Sequence, residues 1–231
     1  MIASTLDRTN ALFDRRLASR PSWVVLAELF LGIGWLRAAA AKSFERDWWT
    51  GRVITDFVEE HQKATIGWYE PIVDRVITGY SIAWAVAIIV AELAIALSLL
   101  TAKRMASGLA IAIFLNVNFL LVGAPNPSIF YLLMQLGLVL WLLETSPARR
   151  ASMRWLRLLS IGGVALALVC LPYVRTMDPR MVIDDPASVL ATWGSCGAVA
   201  AVVARRRVRR EQLRIDLIDL TATTPTGVAV R

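Results

Sequence analysis

Six stretches of the chain are apolar on every helical face for roughly 16 to 21 residues, enough to cross a hydrocarbon core about 30 Å thick at about 1.5 Å per residue. They cover residues 22–41, 80–100, 105–122, 128–143, 156–174 and 189–204. A helix that packs on a soluble core is polar on one side, whereas these show no such side. The pattern predicts an all-α integral membrane protein of six spans. Pro172 falls near the end of the fifth stretch and predicts a cap or kink there.

The polar positions between the stretches set an orientation. Arg8, Arg15, Arg16 and Arg20 precede the first span, Lys103 and Arg104 follow the second, and Arg149, Arg150 and Arg154 follow the fourth. Six arginines, Arg205 to Arg207, Arg209, Arg210 and Arg214, follow the sixth. In an alternating six-span arrangement all of these lie on one side. The other side mixes its basic residues with acidic ones, and its tight loop, residues 123–127, carries no charge. The positive-inside rule then predicts both termini in the cytoplasm.

Residues 43–79, the long outer segment, carry Phe44, Trp48, Trp49, Phe57, Trp68 and Tyr69, the aromatic density of a membrane–water interface. Val53, Ile54, Phe57 and Val58 recur at helical spacing opposite Asp56, Glu59 and Glu60, which predicts a short amphipathic helix lying on the outer face. The first apolar run starts late, runs too long for a signal peptide and meets Lys42 and Phe44, so no cleavable leader is expected. The tail after Leu220 has little to bury and is expected to be disordered.

Composition agrees with the pattern: 57% of the 231 residues are hydrophobic and 19% charged, with a mean hydropathy of +0.56. The net charge of +7 invites a nucleic-acid reading, but its arginines sit where topology puts them, and no nucleic-acid partner is expected. Cys170 and Cys196 form no CxxC pair, which argues against a redox dithiol or thiolate metal site and reads as two small buried residues. No cluster with metal-ligand spacing is present, and His61 in its acidic stretch reads as a solvated side chain.

Polar residues within the spans are costly, about 2.5 to 3.5 kcal/mol for an ionisable group, and each needs a reason. Glu28 and Arg37 lie in the first span and Glu92 in the second. Counting rise from a common cytoplasmic plane puts Glu28 about 9 Å and Glu92 about 13 Å deep, with Asn116 and Gln135 at about 15 to 17 Å. That count predicts four polar side chains from four spans in one slab. Glu28, Gly32, Trp35, Ala39 and Lys42 form one stripe on the first span, expected to line the bundle interior, with Gly32 admitting a close neighbour. The slab is either interhelical glue or a pocket for a headgroup or small polar molecule, formed by Glu28, Trp35, Glu92, Asn116 and Gln135. Trp35, Trp48 and Trp49 also fit interfacial anchoring. Arg37, half a turn from Glu28, is expected to snorkel outward or to meet an acid of the outer segment. Arg37 and Lys42 are the candidates for holding an anion near the outer face.

The run GIGWLRAAAAKSFERDWW, from Gly32 to Trp49, resembles the first-helix signature of the DoxX/DoxD family: a glycine–tryptophan helix ending in a small residue, a lysine and an aromatic. The run AELAIALSLLTAKRMASGLAIAIFLNVNFLLVGAPNP, from Ala91 to Pro127, resembles that family's Glu-bearing second helix, basic turn, Asn-bearing third helix and Asn-Pro loop. Glu92, Asn116, Asn118, Gly123, Asn126 and Pro127 occupy its polar and turn positions. The resemblance implies a four-helix transmembrane bundle over residues 22–143, after a cytoplasmic segment 1–21 and including the outer segment 43–79. Two additional C-terminal transmembrane helices, residues 144–204, and an Arg-rich, partly disordered tail, 205–231, depart from the family unit, as does Arg37 in place of a glycine-containing stretch.

What the resemblance implies for function is a bacterial plasma-membrane subunit of a quinone-linked oxidoreductase, of the thiosulfate:quinone oxidoreductase type. Quinone would then be a substrate rather than a bound cofactor. The chain has no haem-ligand pair or flavin fingerprint of its own, so a soluble or membrane redox or sulfur enzyme is the expected partner, beside membrane lipids. A non-enzymatic scaffold for such enzymes and a small-solute or lipid transporter are the alternatives. The latter lacks the matched broken helices of transporters.

Overall fold

The computed structural model describes residues 16–125, 127–176, 178 and 181–223, the last six as backbone only. It is helical, and no strand occurs among the described residues. A helical turn at residues 16–19 precedes α1 (Ser22–Phe44). Residues 43–79, expected on the outer side, fold into α2 (Arg46–Trp49), α3 (Arg52–His61) and α4 (Glu70–Ile72), then a π turn (Val73–Ile77) and a 3-10 turn (Thr78–Tyr80). The remaining helices are α5 (Ser81–Thr101), α6 (Met105–Val122), α7 (Ser128–Thr145), α8 (Arg149–Cys170) and α9 (Pro186–Thr223). Six helical stretches among the described residues are long and apolar enough to cross a membrane, matching the six expected spans and making this a multi-pass membrane protein by length and composition.

Two compact units divide the chain, one formed by residues up to Leu138 with Tyr173–Val189, the other by Val139–Pro172 with Leu190–Arg231. In the first unit, α1 and α5 pack closely because Gly32 has no side chain. A Cβ there would lie 2.8 Å from the Leu100 side chain and 3.4 Å from its backbone nitrogen. The α5–α6 turn places two non-glycine residues, Ala102 and Arg104, in the left-handed region, and the Ser98 hydroxyl donates to the Lys103 carbonyl at 3.0 Å. Gly108 leaves room for that hydroxyl. Without hydrophobic drive between helices in lipid, such small-residue contacts supply much of the packing.

Residues 43–79 close the end of α6. The last carbonyls of a helix lack intrahelical partners. Here the Ile66 amide donates to Leu121 at 3.0 Å and the Thr65 hydroxyl to Val122 at 2.8 Å. Gly123 ends α6 at φ +107°, against Ala64. Arg175 fastens the same stretch, its guanidinium donating to the Lys63 and Thr65 carbonyls at 2.6 and 3.2 Å. Asp185 in turn accepts from the Arg175 amide and caps the first turn of α9 at Ala187. The expected amphipathic outer helix is α3, which buries Ile54 and Val58 and turns Asp56, Glu59 and Glu60 outward.

The second unit holds α8 against α9. Leu156, Ala201, Ala204 and Val208 form its buried seam, with Leu140, Leu143, Met153 and Leu159 packed on it. Gly163 and Gly194 meet backbone to backbone: a Cβ on either would fall 2.4 or 2.5 Å from the other's carbonyl oxygen. Two expectations change here. α8 begins at Arg149, two turns before the apolar run, and α9 continues to Thr223 as one 38-residue helix. Arginine is a good helix former, so a basic run need not end a span's helix. The expected disorder after Leu220 gives way to helix as far as Thr223, and residues 224–231 lie outside the described ones. Cys170 is buried as expected, but Cys196 is exposed.

Candidate functional site

The candidate site lies within the first unit. On α1, Glu28, Trp35 and Lys42 recur every seven residues and so share a face. Glu28 and Trp35 are buried on that face and Lys42 is half-buried, while Leu26, Phe30 and Ile33 on the other faces are exposed. Glu92, Asn116 and Gln135 are buried on α5, α6 and α7. The five residues of the expected pocket, Glu28, Trp35, Glu92, Asn116 and Gln135, are thus all buried within this unit.

They do not lie in one slab. Glu28 accepts from Arg20 at 2.5 Å, and the same guanidinium reaches the Met105 sulfur at 3.4 Å. Glu92 accepts from Lys42 Nζ at 2.8 Å, and Lys42 also lies 5.0 Å from the Trp48 ring centre, a cation–π contact. Lys42 follows Glu28 by about 21 Å of helix, so the two carboxylates take cations from opposite ends of α1. The cause is register. A common starting plane would pair Leu100 with the start of α1, but Leu100 packs at Gly32, some ten residues along it. The lower part of α1 is covered instead by Met105 of α6 and by α7, whose Gly137 lies next to Trp23.

Asn116 donates to Gln135 at 3.3 Å, joining α6 to α7. Tyr131, one turn before Gln135, stands edge-on to Trp35 with ring centres 5.5 Å apart and edge-on to Phe30 at 6.1 Å. Its hydroxyl lies where a Cβ on Gly34 would be, so Gly34 is the residue that admits it. Arg37 is exposed, between the exposed Ile33 and Leu36 and the rest of the outward face, and shares no face with Lys42. Pro127 gives its carbonyl to the Tyr131 amide at the start of α7. Asn126, its partner in the expected loop motif, lies outside the described residues.

Four buried polar atoms here have no hydrogen-bond partner among the described residues: Glu28 Oε2, Trp35 Nε1, Glu92 Oε2 and Gln135 Nε2. Buried polar groups are nearly always satisfied, and an orphan costs about 1 to 3 kcal/mol. Two of the four are carboxylate acceptors and two are N–H donors. A small polar group with both a carbonyl and a hydroxyl form could engage either kind.

Sequence reasoning read Arg20 only as a topology signal and Trp48 only as an interfacial anchor, and it passed over Tyr131. Tyr131 could have been found by its spacing of four residues from Gln135, which places both on one face of the fourth span. His61 proves locally engaged, its Nδ1 2.8 Å from the Phe57 carbonyl oxygen and its ring stacked on Phe57. No group of side chains suited to a metal ion occurs among the described residues. Compared with known proteins, the chain matches no family model, no curated protein and no solved structure.

Proposed function

We propose that the first unit is the quinone-binding membrane subunit of an oxidoreductase assembly of the DoxX/DoxD type, seated in a bacterial plasma membrane with both termini cytoplasmic. The observation that carries this reading is the set of four buried polar atoms of the first unit that have no hydrogen-bond partner among the described residues. A quinone ring carries carbonyl oxygens that would accept from Trp35 Nε1 and Gln135 Nε2. Reduction consumes two electrons and two protons. The electrons come from a partner enzyme of the sulfur or redox class. The quinol hydroxyls formed would donate to Glu92 Oε2 or Glu28 Oε2, carboxylates placed to pass protons. Lys42 and Arg20 hold these carboxylates by their other oxygens and so fix their orientation.

The test is titration of the full chain in lipid nanodiscs with a short-tailed benzoquinone, followed by quenching of tryptophan fluorescence and by the melting temperature. Saturable binding is expected, with Gln135→Leu weakening it by about tenfold through loss of one donor and Asn116's partner. Linear, non-saturating quenching, the same in wild type and variant, would end this reading.

A further inference from the structure

The second unit carries a charge distribution that the proposed redox role does not use. The first unit, counted over its whole sequence, has fourteen basic and fourteen acidic residues, whereas the second has eleven arginines and four acids. The chain's entire excess of +7 therefore belongs to the α8–α9 unit.

The packing of that unit decides where the charge goes. Gly163 meets Gly194, and Leu156 packs among Ala201, Ala204 and Val208, so the helices run antiparallel and residue 149 comes level with about residue 208. This register sets Arg150 and Arg154 of α8 beside the level of Arg205 and Arg206 of α9. Arg209, Arg210 and Arg214 follow where α9 runs on past the start of α8. Arg150, Arg154 and Arg157 are exposed, as are the arginines of α9 named here. Around the buried line of Ala201, Ala204 and Val208, Arg205 and Arg209 project from one flank and Arg207 and Arg214 from the other. Arg207 approaches Glu144 at 3.7 Å, a loose and exposed pair. Trp155 stands 60% exposed between Arg154 and Arg157, an interfacial aromatic at the same height as the band.

We infer that this arginine band is a binding site for the phosphates of anionic lipid headgroups. Four to eight basic residues directly beyond a membrane helix are the recognised footprint of such binding. Guanidinium suits phosphate by its planar, two-pronged donors, and the chain uses arginine throughout the band and no lysine. The continuous helix of α9 holds the row at fixed spacing, so the charges are presented on a rigid element rather than on a loop. Lipid is the occupant that the page favours, because Trp155 and the apolar faces below it put the band at headgroup height.

The test uses native mass spectrometry of the full chain released from nanodiscs of equal phosphatidylglycerol and phosphatidylcholine. The wild type is expected to retain phosphatidylglycerol preferentially. The variant R205Q/R206Q/R209Q changes exposed positions only, and should lose that preference by roughly a hundredfold in affinity at about 1 kcal/mol per arginine. Its melting temperature in pure phosphatidylcholine, which reports folding, should match the wild type. Added salt should weaken the wild-type preference, and should change the variant less because fewer charges remain to be screened. A wild type with no preference would overturn the inference, and would leave the band to direct insertion or to meet an acidic protein. A variant that keeps the full preference would overturn it equally.

Discussion

Replacing Lys42 by Met isolates the Glu92 carboxylate. In the wild type, Lys42 Nζ lies 2.8 Å from Glu92 Oε1, with the two side chains 19% and 1% exposed. Glu92 Oε2 has no partner, so Lys42 is the only hydrogen bond to this carboxylate among the described residues. Removing one member of a buried pair leaves an uncompensated charge and costs about 3 to 5 kcal/mol, whereas removing both is often close to neutral. For a chain of this size about 1 kcal/mol moves the melting temperature by about 2 to 4 °C, which puts Lys42→Met roughly 6 to 12 °C below wild type even at the lower cost. The double variant K42M/E92Q should recover most of that loss, because Gln carries no charge to isolate. Thermal unfolding in one detergent, followed by size-exclusion chromatography of the surviving fraction, measures all three proteins. If Lys42→Met melts with the wild type, the pair is not the buried contact described here. If the double variant melts no higher than the single one, the loss comes from the packing of Lys42 on Trp48 and not from the stranded carboxylate.

Neighbouring glycines of α8 should respond oppositely. Gly163→Ala drives a Cβ to 2.4 Å from the Gly194 carbonyl and should lower stability by about 1 to 3 kcal/mol, whereas Gly162→Ala meets nothing within 4 Å and should gain up to about 1 kcal/mol in helix propensity, both read from the same melting assay. Tyr69, just outside the second span, donates to Asn118, and burial pushes its phenol above the ordinary value of about 10. The unfolded chain therefore ionises first, so this stabilisation is intact below pH of about 10 and is lost as pH rises through the folded value. The margin of wild type over Tyr69→Phe should shrink across that range, and a margin that widens there would contradict the burial.

The spans were legible because lipid imposes one strong rule, that a helix crossing it must be apolar all round. Their ends were less legible where a basic run continued the helix. The arginines at the start of α8 and the end of α9 have good helix propensity, so hydropathy marked the edge of the apolar run and not the edge of the helix. The outer segment showed its amphipathic part, α3, through the spacing of Ile54 and Val58. Its work as a cap on α6 was hidden, since that depends on bonds from the Thr65 hydroxyl and the Ile66 amide to carbonyls more than fifty positions away.

The polar interior shows more sharply what a sequence can carry. Which residues face inward follows from periodicity along one helix, and the stripe through Glu28, Trp35 and Lys42 is visible in the chain itself. Which of them meet depends on the sliding of one helix against another, and apolar sequences leave that slide almost free. Gly32 fixes it by letting Leu100 sit against the backbone of α1, about ten residues along the helix from the level that a shared plane assumes. This offset brings Lys42 within reach of Glu92 and carries Glu28 away to Arg20. A side chain at position 32 would therefore do more than loosen a contact. It would act on the register that decides which cation holds which carboxylate, and with it on the distance between the two ends of the polar interior.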